Sequence, residues 1–225
     1  MTNETTWITA HSGADGTPDN SLAFVRYALA SGADALEVDV RRRPDDGALV
    51  LAHDEAAAAA PLLEQALACI AQQADMRVNC DLKEPGLERP VRALARRAGL
   101  EERLVYSGTV DPRQLRDAPA GAVFWNIDEQ IPALYERCRE TPAFRWQAAE
   151  EMCRLCAAAG VRTVNVYEGL VDDRFLEILD GYGMGASVWT VQQEARLVYF
   201  LSRGVRNITT RRLAHALSLR RAART

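Results

Sequence analysis

The stretch Gly32-Ala33-Asp34-Ala35-Leu36-Glu37-Val38-Asp39-Val40 decides the fold. Gly32 stops a helical pattern over 21–30 in which Leu22, Val25 and Leu29 share one face, and residues 35–40 then read as a strand. That strand is apolar except for Glu37 and Asp39, whose spacing of two puts both carboxylates on one face. Pro44-Asp45-Asp46-Gly47 follows as a turn, and residues 49–52 return as the second arm of a hairpin.

The same alternation continues in both directions. Further strands are expected at 7–10, 78–82, 104–107, 123–126, 163–166, 186–191 and 207–209. Amphipathic helical patterns lie between them at 62–71, 88–97, 147–159, 173–179, 193–202 and 211–221, several ending at Gly99, Gly160, Gly183 or Gly204. Eight strands alternating with helices, at about 28 residues per unit, predict an α/β fold of the (β/α)8 TIM barrel type. A doubly wound sheet would want a glycine-rich phosphate loop after the first strand, and Gly13-Ala14-Asp15-Gly16 does not match one. The chain has no linker rich in proline, glycine and serine, so residues 1–225 are expected to form one domain.

Composition narrows the function. The 225 residues are 48% hydrophobic and carry 27 Lys+Arg against 31 Asp+Glu, a formal charge of −4. A core is expected, disorder is excluded, and scattered arginine does not make the clustered basic face of a nucleic-acid binder. The apolar runs fall short of the ~20 residues that span a bilayer, so no membrane insertion is expected. Residues 1–6 are polar and lack a signal-peptide core, and the five cysteines read as reduced thiols. A cytoplasmic protein is the expectation.

Polar residues collect at the ends of the early strands. His11 ends the first, His53 and Asp54 end the hairpin arm, and the third main strand reads Val78-Asn79-Cys80-Asp81-Leu82-Lys83. In a barrel these faces point inward at the C-terminal mouth, where such folds place their active sites. Neighbouring buried carboxylates must be paired or bind a cation. Glu37, Asp39 and Asp81 therefore make an all-oxygen set suited to one divalent cation, Mg²⁺ or Ca²⁺, held as a Lewis acid. Two imidazoles beside it suit acid–base work near neutral pH. His215 falls on a surface helix with no expected chemistry, and Cys153-x-x-Cys156 lacks a second ligand pair. Arg41 is the cation that could pair the acids as a purely structural network. Asn165 and Tyr167 alternate toward the pocket at the end of the sixth strand, and Arg220, Arg221 and Arg224 read as a solvated tail.

The ordered set Ala10-His11-Ser12-Gly13, Pro18-Asp19-Asn20-Ser21, Gly32 to Val40 and His53-Asp54 resembles the glycerophosphodiester phosphodiesterase family, whose pattern is HRG, PENT, GAD-x-x-E-x-D-V and HD. Downstream, Asp81-Leu82-Lys83 resembles its E-x-K strand, Val188-Trp189-Thr190-Val191 its W-T-V-N strand, and residues 204–210 its closing G-V-D-G-I-x-T-D. The resemblance implies a barrel of the phospholipase C-like phosphodiesterase type, a phosphoric diester hydrolase of lipid metabolism acting on a small-molecule phosphodiester substrate. It implies His11 and His53 as the acid–base pair, Glu37, Asp39 and Asp81 as metal ligands, and Ser12, Lys83 and Trp189 as substrate contacts. In the family scheme a substrate hydroxyl attacks phosphorus to give a cyclic phosphate, which water opens.

The chain departs from the pattern in the residues that read the substrate. The family Arg after the first histidine is Ser12, the Glu of PENT is Asp19, the third metal-site Glu is Asp81, the Asn after W-T-V is Gln192 and the final Asp is Thr210. Only 27 residues separate His53 from Asp81, where family members commonly carry a long insertion. Two alternatives stay open at this point: a non-catalytic barrel that binds phosphodiesters or lipid headgroups, and a lyase that releases a cyclic phosphate. The residues specify neither the alcohol released nor an oligomeric state.

Overall fold

A computed structural model describes residues 5–126 and 128–223. The chain runs β1 (Trp7–Ala10), α1 (Leu22–Ser31), β2 (Ala35–Arg42), β3 (Leu49–Leu51), α2 (Leu63–Ile70), β4 (Arg77–Leu82), α3 (Glu88–Arg97), β5 (Leu104–Gly108), β6 (Trp125–Asn126), α4 (Leu134–Glu140), α5 (Phe144–Ala159), β7 (Thr163–Tyr167), α6 (Asp173–Gly181), β8 (Gly185–Trp189), α7 (Glu194–Arg203), β9 (Asn207–Thr210) and α8 (Leu213–Ala222). The sheet order is β5-β4-β2-β1-β9-β8-β7-β6. Neighbours on that path pair in parallel, and β3 pairs antiparallel with β2 as the hairpin reading expects. A parallel bridge between Tyr106 and Val123 joins the two ends of the path. The architecture is a (β/α)8 TIM barrel with the hairpin arm added to its rim.

Alternation along the strands sorts chemistry from packing. Leu36, Val38 and Val40 of β2 are fully buried in the apolar core, whereas Glu37 and Asp39 face the barrel interior. Deeper in the barrel a polar network joins β1, β9 and β8: Thr9 Oγ1 donates to Asn207 Oδ1 at 2.6 Å, and Asn207 Nδ2 donates to Ser187 Oγ at 2.9 Å. Helix starts follow local rules, as at α1, where Ser21 Oγ accepts the N–H of Phe24 at 3.0 Å.

The sector from β5 to β7 departs from the expected pattern. No α-helix joins β5 to β6; a single 3-10 turn, Pro112–Leu115, begins after the Asp111 cap and ends before Pro119 can be accommodated. Strand β6 is cut to two residues, and α4 adds a short helix where none was expected. At the other end, Arg220 is no solvated tail: it pairs with Asp34 and donates to the Thr6 carbonyl at 3.2 Å, tying α8 to the start of β1. Arg224 lies outside the described residues. Among the described residues no helix is long and apolar enough to cross a membrane.

Candidate active site

A cavity of about 550 Å³ opens at the C-terminal mouth of the barrel. Parallel pairing of β2 with β4 sets Asp39 beside Asp81 and Glu37 beside Asn79. As a result Glu37, Asp39 and Asp81 each offer a carboxylate oxygen within 4.8 Å of the others. Their surroundings differ. Glu37 is 4% exposed and accepts the N–H of Ser12 at 3.1 Å; burial, then the charges of Asp39 and Asp81, push its carboxyl well above the usual range. Burial also pushes Asp39 upward, but the Lys83 ammonium and the Asn20 amide outweigh it and hold that carboxyl low.

Asn20 clamps Asp39 from two directions. Its Nδ2 donates to Asp39 Oδ2 at 2.6 Å, and the Asp39 N–H donates back to Asn20 Oδ1 at 3.0 Å. The residue sits at φ 47, a left-handed conformation that asparagine tolerates better than most side chains. Lys83 Nζ is 2.8 Å from Asp39 Oδ1 and also pairs with Asp81. Burial disfavours its charge, yet the two carboxylates more than reverse this and raise its pKa. Arg41, the alternative partner for the acids, faces elsewhere: its Nε donates to the His53 carbonyl at 2.9 Å, and its Nη1 lies 3.7 Å from Glu84.

The two imidazoles stand on different mounts. His11, at the end of β1, has Nδ1 2.9 Å from the Ser12 carbonyl and 3.9 Å from Glu37. Burial lowers its pKa, opposed by the Ser12 carbonyl and assisted by the Arg211 charge. His53 follows β3 and is largely exposed at the rim, with Nδ1 3.0 Å from Asp54 Oδ1. Both rings line the cavity, and in each the contact at Nδ1 leaves Nε2 for a substrate.

The arrangement fits a hard dication. Three acids against one ammonium leave two negative charges; a proton favoured at Glu37 offsets one of them, and a dication would offset both. Asn79 Oδ1, the cross-strand neighbour of Glu37, is buried without a hydrogen-bond partner among the described residues and adds another oxygen beside the set.

Other expected contacts divide. Lys83 and Trp189 line the cavity; Ser12 does not. Ser12 is 1% exposed and its Oγ accepts the Asn20 N–H at 2.6 Å, so it braces the loop that carries Asn20. Asn165 lines the cavity and donates to Asn126 Oδ1 at 2.8 Å, while Tyr167 stands exposed beside Trp189, ring centroids 5.9 Å apart. His215 pairs with Glu194 at 3.0 Å on the outer helices, and Cys153 and Cys156 are fully buried thiols. Thr210 is structural, its Oγ1 donating to the Val191 carbonyl at 2.6 Å.

Sequence reading passed over Asn20 and Arg211. For Asn20 the available signal was an asparagine just before a helix cap, a common left-handed site. For Arg211 it was the spacing Asn207, Thr209, Arg211, which carries the inward face of β9 to its mouth.

No protein-family model matches the chain. A curated relative, the glycerophosphodiester phosphodiesterase of Bacillus altitudinis, is 28% identical over 141 residues, covering 45% of this chain and 57% of that protein. The match thus spans little more than half the length of the curated relative. Among solved structures, a glycerophosphodiester phosphodiesterase from Parabacteroides distasonis superposes with a TM-score of 0.76 at 18% identity, covering 98% of this chain and 99% of the other. An Oleispira antarctica phosphodiesterase, solved in complex with the product sn-glycerol-3-phosphate, gives 0.67 at 17% identity, with 96% of each chain covered. The chain is similar to glycerophosphodiester phosphodiesterases in sequence over part of its length and in fold over nearly all of it.

Proposed function

We propose that this chain is a metal-dependent phosphodiesterase that hydrolyses glycerophosphodiesters or similar small phosphodiesters to an alcohol and a phosphomonoester. The observation that carries the reading is the convergence of Glu37, Asp39 and Asp81 within 4.8 Å of one another in a cavity also lined by His11 and His53. Similarity to the Bacillus altitudinis protein and the product-bound Oleispira antarctica structure support the same substrate class.

Glu37, Asp39 and Asp81 would hold one dication, Mg²⁺ or Ca²⁺, which when bound supplies Lewis-acid charge for a phosphoryl oxygen. The chain's own residues supply the rest. One imidazole Nε2 takes the proton of the attacking hydroxyl as its oxygen bonds to phosphorus. The other gives a proton to the alcohol oxygen as its bond to phosphorus breaks. Water then opens the cyclic phosphate with the two roles exchanged. We assign His11 the proton-accepting role in the first step, since burial lowers its pKa and so favours the neutral ring that can accept. Lys83 balances excess carboxylate charge, Asn20 fixes Asp39, and Trp189 offers an apolar wall to the alcohol part.

The test is turnover of glycerophosphocholine, glycerophosphoethanolamine, glycerophosphoglycerol and a chromogenic diester with each metal. Hydrolysis that EDTA abolishes and Mg²⁺ or Ca²⁺ restores is expected. Equal backgrounds from the metal-loaded wild type and His11→Ala would overturn the reading. Phosphorus NMR of the product separates full hydrolysis from release of a cyclic phosphate.

A further inference from the structure

The acidic set and Lys83 leave the cavity short of a cation for the substrate itself. Three carboxylates less one ammonium leave two negative charges, which a dication cancels. A phosphodiester adds another negative charge, and Lys83 is already held by Asp39 and Asp81. Among the described residues that line the cavity, Arg211 is the other permanently charged cation.

Arg211 follows the last residue of β9 and is fixed by its backbone. Its carbonyl accepts the Asp15 N–H at 2.8 Å, and the preceding Thr210 carbonyl accepts the His11 N–H at 3.0 Å. The guanidinium therefore lies against the imidazole, Nε 3.2 Å from His11 Nδ1, with Nη2 3.1 Å from Asp19 Oδ1. Gly13 makes the space. A Cβ there would stand 1.9 Å from Asp19 Oδ1 and 3.4 Å from Arg211 Nη1, and the residue adopts φ +78.

The Nε contact cannot coexist with the tautomer that the proposed chemistry requires. For Nε2 to accept a proton, the neutral ring must carry its hydrogen on Nδ1, where it donates to the Ser12 carbonyl at 2.9 Å. Nδ1 then has no lone pair for Arg211, and two N–H groups face each other. The Arg211 fork is left with donors, a positive charge and no acceptor on the His11 side. A non-bridging phosphoryl oxygen supplies both the acceptor and the charge, in the geometry guanidinium groups favour.

We propose that Arg211 is a phosphate-binding residue of this site, gripping a non-bridging oxygen of the phosphodiester beside His11, with Asp19 as its resting counter-ion. The inference deepens the phosphodiesterase reading and rests on it for the identity of the substrate, but the anion site can be measured without turnover.

The experiment compares wild type, R211K and R211M, each loaded with Mg²⁺ and matched for thermal midpoint, by calorimetric titration with inorganic phosphate. R211M should bind phosphate at least tenfold more weakly, and R211K should fall between the two. Steady-state rates with bis(p-nitrophenyl) phosphate should show KM raised more than kcat is lowered in R211M, with partial rescue in R211K. Phosphate affinity of R211M within twofold of wild type, or a wild type that binds no phosphate at 10 mM, would overturn the role of Arg211. Absence of wild-type turnover would sink the phosphodiesterase reading alone, leaving the titration to decide for or against Arg211.

Discussion

The two sides of the barrel mouth are built on opposite principles. The side formed by β1, β2 and β4 carries His11, Glu37, Asp39, Asp81 and Lys83, with Lys83 paired to two of the three acids and His11 near the third. The side formed by β6, β7 and β8 presents Trp189 and the amides of Asn126 and Asn165, which share a hydrogen bond of 2.8 Å; the acid on that wall, Asp128, accepts the Tyr135 hydroxyl at 2.7 Å, and the exposed Tyr167 ring borders it. On the proposed reading, the dense charge of one side would serve phosphorus chemistry, and the amides and aromatic wall of the other would recognise the alcohol part. Reaction and selectivity would then be separable, and substitutions on the two sides should fail in different ways.

The largest effect belongs to the charged side. His11→Ala is expected to lower kcat by about 10²–10⁴-fold while Mg²⁺ binding, read by calorimetry, stays near wild type. A matching loss of metal affinity would break the division of labour between imidazole and carboxylates. Next comes Asn20→Ala, which removes both hydrogen bonds from Asp39 and should weaken Mg²⁺ binding by about 10–100-fold. Unchanged affinity would mean that Lys83 alone positions the Asp39 carboxylate.

The pH dependence of metal binding sharpens the same point. Burial and two neighbouring acids raise the Glu37 pKa, so the metal-free protein keeps that proton above the ordinary carboxylate range. Metal must displace it, and affinity should climb with pH by at most about tenfold per unit before flattening above the raised value. The sign for stability is opposite. The favourable contribution of protonated Glu37 is fully present below the ordinary carboxylate pKa and is lost as pH rises through the raised one. Glu37→Gln should remove both trends in calorimetric and thermal-melt titrations; if the slopes persist, another group binds that proton.

The smallest effect is expected opposite. Asn165→Ala should leave Mg²⁺ affinity and kcat with a chromogenic diester within a fewfold of wild type, in the ordinary range for a lost hydrogen bond. Its mark should be a changed preference among glycerophosphodiesters, measured as ratios of kcat/KM. A collapse of activity on every substrate would erase the distinction between the two sides.

The same contrast explains what was legible in the sequence. The charged side lies on strands of regular period, so Glu37, Asp39, Asp81 and Lys83 could be set on shared faces by counting in twos. His11 and His53 stood out as strand-end imidazoles, and the barrel followed from the alternation of strands and helices. The β5–β7 sector resisted because its signals are irregular. Pro112 and Pro119 confine the connection after β5 to one 3-10 turn, β6 has two residues, and α4 is too short to show a clear helical period. Ser12 is named as a substrate contact only because the resemblance places the family Arg there; the short serine side chain instead accepts a backbone N–H eight residues away, a local bond that motif position does not foretell. Arg211 obeys the counting rule but stands one residue beyond β9, at the start of the helical pattern read over 211–221.

The hairpin of β2 and β3 gives the reaction centre an unusual economy of chain. Residues 37–54 deliver two carboxylates and one imidazole as a single local cassette, with Arg41 stitching its far end to the His53 carbonyl at 2.9 Å. Their mutual spacing is thus set by a turn, and only Asp81 and His11 have to be recruited from neighbouring strands. On the proposed reading, drift in the β6 sector could then retune which alcohol is accepted while this cassette keeps its alignment.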